Sequence, residues 1–440
     1  MRQPVLLNLK GYKIMDQRFI YHENLSSIHI GTEAPRAYFI PFDREDACDN
    51  VKRGASPYFK SLCGEWDFGF YKNSTLVPVD LFRAELPDKM PVPYSWQCAL
   101  GKGYDTPNYT NINYPFPCNP PYIPEENPCG LYRRTFHVHK PAGKSLYLNF
   151  EGVDSCFYLY LNGAFVGYSS VSHMTSEFHV TDYLCEGENE IVVLVFKWNC
   201  CSYLEDQDKW RYSGIFRDCY LLTRDVAHIR DISVKAKLDE TFTKGLLTAD
   251  LDLSADIPVS YRLLSPAGEV VSDGEFTDRK IAVNVDGPVL WNDEEPMLYH
   301  LVLHAGNEYI SLQVGFRRID IKGRVFYLNG QKIKCRGVNR HDSHPRLGSA
   351  TPLEHIVNDL KIMKRHNVNA IRTSHYPNDP RLVELCDRYG FYLIDEADLE
   401  THGTEVDNRY EQLAHKKEWK DAFVDRMARM YERDKTTRVF

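Results

Sequence analysis

Several absences narrow the possibilities for this 440-residue sequence. No stretch approaches the ~18 consecutive apolar residues of a membrane span, so no membrane partner is expected. Residues 1–19 hold no apolar core of the roughly 7–15 residues a secretory leader needs and no small-residue cleavage site. The expected location is therefore cytoplasmic. A basic excess is also missing. Lys and Arg total 53 against 61 Asp and Glu, a formal charge of −8, so nucleic acid is not expected as the main partner. The twelve cysteines include no C-x-x-C, which removes zinc-ribbon and thioredoxin-type sites. Scattered in this way, they read as small buried hydrophobes.

What is present is a balanced globular composition, 43% apolar and 26% charged, rich in aromatics (28 Tyr, 6 Trp). Aromatic faces suit sugar rings, but large β-rich cores account for the same number, and composition alone favours the core. At roughly 100–200 residues per domain, the length predicts two to four domains.

The first half reads as β-structure. Leu146, Leu148 and Phe150 alternate with Tyr147 and Asn149, the period of a half-buried strand. CFYLYLNGAFVGYSS reads as a hairpin turning at Asn162 and Gly163, and ENEIVVLVFKW as a strand buried on both faces. Short strands without a convincing helix predict a sandwich or jelly roll over about 45–222. Between Gly103 and Gly130 lie seven prolines, a connection long enough to suggest function or disorder. From about 225 to 320, the runs DISVKAKL, LLTADLDLS, VSYRLLS, LYHLVLH and ISLQVGF are spaced like an Ig-like sandwich.

After about 322 strands and helices alternate. KIKCRGVN, VNAIRT and FYLIDEAD read as strands. Thr351, Pro352 and Glu354 predict an N-cap, an N1 proline and a capping-box acid for one helix. Asp379 and Pro380 open a second helix that Gly390 closes. Trp419, Phe423, Met427 and Met430 line one face of a third. Such alternation indicates a parallel α/β structure, but three βα units fall short of a closed eightfold barrel. The expectation is a segment cut short, with an exposed apolar face.

Chemistry-bearing residues gather just after these strands: Asn339, Arg340, His341 and His344, then Ser374 and His375, then Glu396, Asp398, Glu400 and His402. In a parallel barrel such loops share one rim, where active sites lie. Glu400 and His402, two apart, suit a common cation, Mg or Zn, or form a surface pair. In the β half, Glu205, Asp206, Asp208, Trp210 and Arg211 crowd one loop. That loop either recognises a polyol or carries inter-domain salt bridges.

The stretch NAIRTSHYPNDPRLVELCDRYGFYLI, from Asn369 to Ile394, resembles the first signature of glycoside hydrolase family 2. RGVNRHDSHP, DEADLETHG, YLEDQDKWRYSGIFRD and YTNINYP…NPPYIPEENPCG are similar to the β-galactosidases of that family, the lactose-operon type. The similarity runs from about Tyr21 to Asp434, and WRYSGIFRD and ENPCG favour β-galactosidases over β-glucuronidases and β-mannosidases. The resemblance implies a multidomain chain. A jelly-roll sugar-binding domain would span 1–224 with a 1–44 extension, an Ig-like β-sandwich 225–320, and 321–440 would be the first three or so βα units of a (β/α)8 TIM barrel. It further implies retaining hydrolysis of terminal β-galactosides such as lactose by a homo-oligomeric parent enzyme. Asn111 and Asp208 would hold galactose hydroxyls, and Asp208 would also touch Na+. His341 and His375 would contact the sugar near the transition state, with Arg372 supporting the pocket. Glu400 and His402 would be two of the Mg2+ ligands.

In that family one glutamate is acid/base and a second, about 5–5.5 Å away, is nucleophile. Both are expected beyond Phe440, so the 440 residues alone are expected not to hydrolyse substrate. Asp398 and Glu400 lie too close together on one strand to flank a glycosidic bond from opposite faces. The run from Lys435 to Phe440 departs from the Asn-His-Pro continuation of the family, and Met15 competes with Met1 as the start. Two alternatives are a non-catalytic galactoside-binding fragment and one half of a split enzyme.

Overall fold

Asn162 and Gly163 both take positive φ, 49° and 86°, which the tight turn between right-twisted strands requires. They fold Cys156–Leu161 back onto Ala164–Ser169. The computed structural model to which this hairpin belongs describes residues 18–276, 278–406 and 411–437; both candidate starts, Met1 and Met15, and residues 438–440 lie outside them. The hairpin sits in a seven-stranded antiparallel sheet ordered His29–Ile30, Ala164–Ser169, Cys156–Leu161, Gly187–Phe196, Cys129–Val138, Gly64–Tyr71 and Asp88–Val92. Facing it is a four-stranded sheet of Ser176–His179, Lys144–Phe150, Cys219–Asp225 and Phe59–Ser61.

Gly187–Phe196 runs through the middle of the larger sheet, paired on both sides. Its side chains alternate between two apolar layers. Ile191, Val193 and Val195 join Trp66, Leu148 and Phe157 between the sheets, while Val192, Leu194 and Phe196 join Phe19, Leu131 and Tyr158 on the other side. Burial on both faces is why this run lacks polar alternation. The proline-rich segment is ordered against the sandwich: Tyr114, Phe116 and Ile123 are buried. Its short strand Asn108–Thr110 pairs with Lys209–Arg211 as a two-stranded ribbon.

The second sandwich pairs a sheet of Ile229–Leu238, Lys244–Leu253 and Lys280–Asp286 with a sheet of Val270–Glu275, Ser260–Leu264, Tyr299–Ala305 and Glu308–Val314. The five expected runs are all strands. Two further strands, Val270–Glu275 and Lys280–Asp286, lie outside those runs. The first is largely exposed, whereas the second alternates buried and exposed residues along its whole length.

Past a small antiparallel meander starting at Ile319–Lys322, Gly337–Arg340, Ala370–Thr373 and Tyr392–Ile394 form a parallel sheet. Helices Leu353–Arg365, Pro380–Tyr389 and Lys420–Asp434 accompany it. Three expectations change here. The first strand covers only Gly337–Arg340, because its partner Ala370–Thr373 offers four residues to pair with; Gln331–Lys332 pairs backwards into the meander. The first helix opens one residue late, at Leu353, with Pro352 as N-cap. Thr351 donates its hydroxyl to Ser349 O instead, so no capping box forms.

The third helix turns a different face inward. Met427 is exposed while Arg426, Arg429 and Arg433 are buried, because carboxylates and carbonyls rather than apolar groups await them. Trp419 alone of the expected stripe is fully buried. The second helix behaves as expected: the Asp379 side chain accepts from Arg381 N, and Gly390 closes it at φ +74°. A Cβ on Gly390 would meet the Asp293 carbonyl oxygen at 2.4 Å. The apolar side chains of Val338, Ile362, Ile394 and Val424 are exposed, as the alternation predicts. Among the twelve cysteines, Cys129, Cys156, Cys200, Cys201, Cys219 and Cys386 are buried but Cys185 and Cys335 are exposed, so the buried-hydrophobe reading covers half of them.

Candidate sugar-binding site

The candidate residues come from two regions, which buried polar contacts lock together. Glu400 N donates to Leu204 O at 2.7 Å, and Asp206 N donates to Glu400 O at 3.1 Å. Gly403 N donates to Asp206 Oδ2 at 2.6 Å. The Asp398 carboxylate accepts from His173 N, His173 Nδ1–H and Gln207 Nε2 at 2.8–3.0 Å. Arg217 donates to Asp342 Oδ2 at 2.9 Å and Pro377 O at 2.7 Å. Arg426 donates to Glu205 Oε1 at 2.8 Å, while Ser172 Oγ donates to Glu205 Oε2 at 2.5 Å.

The ionisation of these groups follows from their surroundings. Burial opposes a charge on Asp342, yet the guanidiniums of Arg340 and Arg217 outweigh it and hold its carboxyl below the usual range. Burial depresses His173 to about 3, against the pull of Asp398. A neutral ring serves both neighbours, donating from Nδ1 to Asp398 and accepting at Nε2 from Lys209 Nζ, 3.1 Å away.

This docking presents a smaller, half-exposed set of groups to one space. Asp208 follows the buried Gln207 and accepts from Tyr109 Oη at 2.5 Å. Thr110 pairs with Lys209, and Asn111, just past that strand, is exposed. The His341 and His375 rings meet edge-on with centroids 5.5 Å apart. His341 Nδ1 lies 3.3 Å from Tyr376 Oη. His375 Nδ1 lies 2.9 Å from Glu396 Oε2, and Arg372 forms a close ion pair with the same carboxylate.

Burial lowers the pKa of both imidazoles, reinforced at His341 by His375 and Lys209 and at His375 by Arg372. Asp208 is near enough to pull both the other way. Glu400 is raised by burial, with Asp208 adding to the rise and His402, Arg211 and Arg372 opposing it. Glu400 Oε1 lies 3.7 Å from His402 Nδ1. Among the described residues, no cluster of three or more His, Cys, Asp or Glu is arranged to hold a metal. Glu400 and His402 thus stand side by side, and His402 Nε2 also lies 3.2 Å from Glu405 Oε2.

The rim residues named from the sequence separate into two groups. His341, His375 and Glu400 lie near enough to Asp208 to feel its charge, with Arg372 beside both His375 and Glu400, and His402 beside Glu400. Arg340 is buried between Asp342 and Asp359, and Asp398 belongs to the docking contacts. His344 turns away, its backbone paired with Gly348 and its ring against His355. In the 205–211 loop, the inter-domain reading holds for two residues. Glu205 and Asp206 make inter-domain contacts with Arg426 and Gly403, Arg211 is bonded within the first domain to Thr110 and Asp206, and Asp208 and Trp210 reach solvent. Sequence reasoning does not single out Tyr109, Tyr376 or His173. Tyr109 and Tyr376 stand inside the stretches carrying Asn111 and His375, but no sequence pattern marks His173.

Comparison with known proteins covers nearly the whole described chain. Residues 59–225 match the sugar binding domain of glycosyl hydrolases family 2, residues 227–317 match glycosyl hydrolases family 2, and residues 319–437 match the TIM barrel domain of that family. The β-galactosidase of Actinobacillus pleuropneumoniae is 45% identical over 387 residues, covering 88% of this chain and 38% of that protein. The β-galactosidase of Pectobacterium atrosepticum is 40% identical over 412 residues, covering 86% and 39%. The chain therefore spans 38–39% of the length of these curated relatives. The solved Ruminococcus gnavus β-glucuronidase superposes with a TM-score of 0.73 at 20% identity, covering 87% of this chain and 66% of that one, a likeness of fold.

Proposed function

The chain belongs to glycosyl hydrolases family 2, and from that membership we propose that it serves a cytoplasmic β-galactosidase, contributing the walls of its galactose pocket. The reading is supported by the nearness of Asp208, from the sugar binding domain, to His341 and His375, from the barrel segment, with Arg372 beside His375, and it assigns Asn111 to the same pocket. A pyranose offers hydroxyls in several directions, and groups from two domains reach it from two sides. Asp208 accepts a hydroxyl hydrogen, Asn111 donates and accepts, and two neutral imidazoles accept or donate without bringing charge. Arg372 holds Glu396 and, through it, the His375 ring.

The donor set fits the expected ions. Glu400 and His402 would hold Mg2+ with oxygen and nitrogen ligands, and Asp208 would contribute an oxygen to Na+. Bound there, Mg2+ would supply positive charge favouring the ionised form of Glu400. The parent enzyme is proposed to act as a homo-oligomer on terminal β-galactosides such as lactose, by the retaining route.

Retaining cleavage needs a nucleophile and an acid/base about 5–5.5 Å apart. Glu396 is held by Arg372 and His375, and Asp398 by His173 and Gln207. These carboxylates are occupied in positioning, so a polypeptide of these 440 residues binds galactosides without cleaving them. The purified chain should give measurable calorimetric binding of methyl β-D-galactoside, lost in Asp208→Ala, and no release of o-nitrophenol from o-nitrophenyl galactoside. Turnover at ordinary glycosidase rates would refute the binding-only assignment, and binding indifferent to Asp208→Ala would refute the pocket.

A further inference from the structure

Cys200 and Cys201 stand side by side at the seam between the first sandwich and the barrel segment, and both are buried. They pack with Tyr203, Leu413 and Trp419, as small hydrophobes would. Their polar surroundings are not those of inert core thiols. Arg426 reaches in, fully buried, from the third helix. Its Nη2 donates to Glu205 Oε1 at 2.8 Å and to the carbonyls of Ser170 and Cys201 at 3.4 and 3.5 Å. Its Nε and Nη1 are buried with no hydrogen-bond partner among the described residues. The Cys201 thiol lies close enough for Arg426 to favour its ionised form. Cys200 keeps its own proton and donates it to Cys201. That hydrogen bond and the guanidinium lower Cys201 to about 7 against the effect of burial, whereas an ordinary thiol lies at about 8.5. Ser202, the next residue, lines a small polar cavity with Ser155, Glu205 and Lys209, which has room for a water-sized molecule. A thiolate is the nucleophilic form of cysteine, and beside a cation it is the form that peroxides oxidise.

We propose that Cys200 and Cys201 are an oxidation site, at which Cys201 takes oxygen from a peroxide and Cys200 resolves the product into a disulfide between neighbouring residues. The Cys201 thiolate attacks one oxygen of hydrogen peroxide; an S–O bond forms and the O–O bond breaks. Sulfur is oxidised to a sulfenic acid, and the departing hydroxide takes up a proton and leaves as water. The Cys200 sulfur then attacks the sulfenic sulfur. The S–S bond forms, the S–O bond breaks, and the hydroxyl leaves with the Cys200 proton as a second water. Joining adjacent sulfurs closes a small ring that a helical turn cannot hold, so the run Cys200–Leu204 must change at its start. There Asn199 Oδ1 accepts from Cys201 N at 2.7 Å, and at the far end Leu204 O accepts from Glu400 N at 2.7 Å. Oxidation also removes the thiolate from beside Arg426. Both changes loosen the docking of the barrel segment on the first sandwich, and a thiol reductant reverses them.

Treating the chain with hydrogen peroxide, unfolding it with an alkylating reagent present and mapping the peptides tests the site. The peptide carrying both residues should lose two hydrogens and take no label, and dithiothreitol should restore both thiols. The urea midpoint should fall on oxidation and recover on reduction. Because the thiolate reacts, the oxidation rate should reach half its plateau near pH 7 rather than about 8.5. Cys200→Ser should stop the reaction at a sulfenic acid on Cys201 that dimedone captures. Cys201→Ser should leave Cys200 unoxidised, with circular dichroism checking the fold of both variants. A pair that still takes two labels when the exposed Cys185 and Cys335 no longer take any would overturn the assignment. So would a rate midpoint at the ordinary thiol value, or a Cys200→Ser chain with no adduct on Cys201.

Discussion

The parallel segment is held from two sides by different physics. Toward the first sandwich it meets buried charge, Arg217 with Asp342, Arg426 with Glu205, and Asp398 with His173 and Gln207, beside an apolar cluster of Tyr114, Phe116, Tyr203 and Leu204 with Leu413 and Trp419. Toward the second sandwich apolar surface and backbone contacts predominate, with Lys435 paired to Asp231. Trp291, Leu298, Leu328, Ala370 and Tyr392 form one cluster, Trp291 Nε1 donates to Asp387 O, and Gly390 lies against the Asp293 carbonyl. Buried charges are costly to desolvate and repay the cost only when every partner is placed. A charged contact is therefore intolerant of a shifted or rotated partner, while an apolar one accepts small displacements. The candidate pocket straddles the intolerant side, where Asp208 must meet groups that belong to another domain.

The largest expected effect is on that side. Asp342→Ala leaves the buried Arg217 guanidinium without its carboxylate and Arg340 with the carboxylate of Asp359 alone, which should cost about 3–5 kcal/mol in urea denaturation and abolish galactoside binding. A loss below about 1 kcal/mol would erase the distinction between the two contacts. Next is the apolar side. Gly390→Ala forces a positive φ on a Cβ that meets Asp293 O, at a cost of about 2 kcal/mol, but it should leave the affinity for methyl β-D-galactoside in the surviving folded fraction unchanged. Affinity lost along with stability would mean that both contacts set the pocket.

The last effect is a slope rather than a single loss, and it sharpens the comparison through pH. The His173 pKa of about 3 lies below its ordinary value of 6.5. Between the two, the unfolded chain binds a proton that the folded chain refuses. Stability contributed by neutral His173 is thus complete above about pH 6.5 and declines as pH falls toward 3, by up to about 1.4 kcal/mol per pH unit. His173→Gln should flatten that slope in denaturation midpoints measured from pH 7 to pH 4. An unchanged slope would place the acid sensitivity elsewhere.

Local backbone chemistry is legible in the amino-acid sequence. The positive-φ turn at Asn162 and Gly163, the doubly buried run ending at Phe196, and the caps at Asp379 and Gly390 each depend on neighbours in sequence. Features that depend on distant partners are not legible there. Periodicity turns the apolar face of the third helix inward, because a buried arginine cannot be told from an exposed one until its carboxylate is located. Pattern alone starts the first parallel strand too early, because its limit belongs to Ala370–Thr373. Of the pocket, the family motifs make Asp208, His341, His375 and Arg372 legible. The histidine behind them, His173, is silent because its meaning comes from Asp398, 225 residues later.

That separation also sets a timetable. At translation speeds of about 5–20 residues per second, the ribosome needs roughly 10–50 s to travel from His173 to Asp398. Throughout that interval the first sandwich can fold, yet Lys209, Glu205 and Arg217 remain without their later partners. The nascent chain therefore carries a wet, charged surface where the finished molecule has a dry one. Such a surface resists sticking to apolar segments of neighbouring chains until Asp398 and the residues around it emerge.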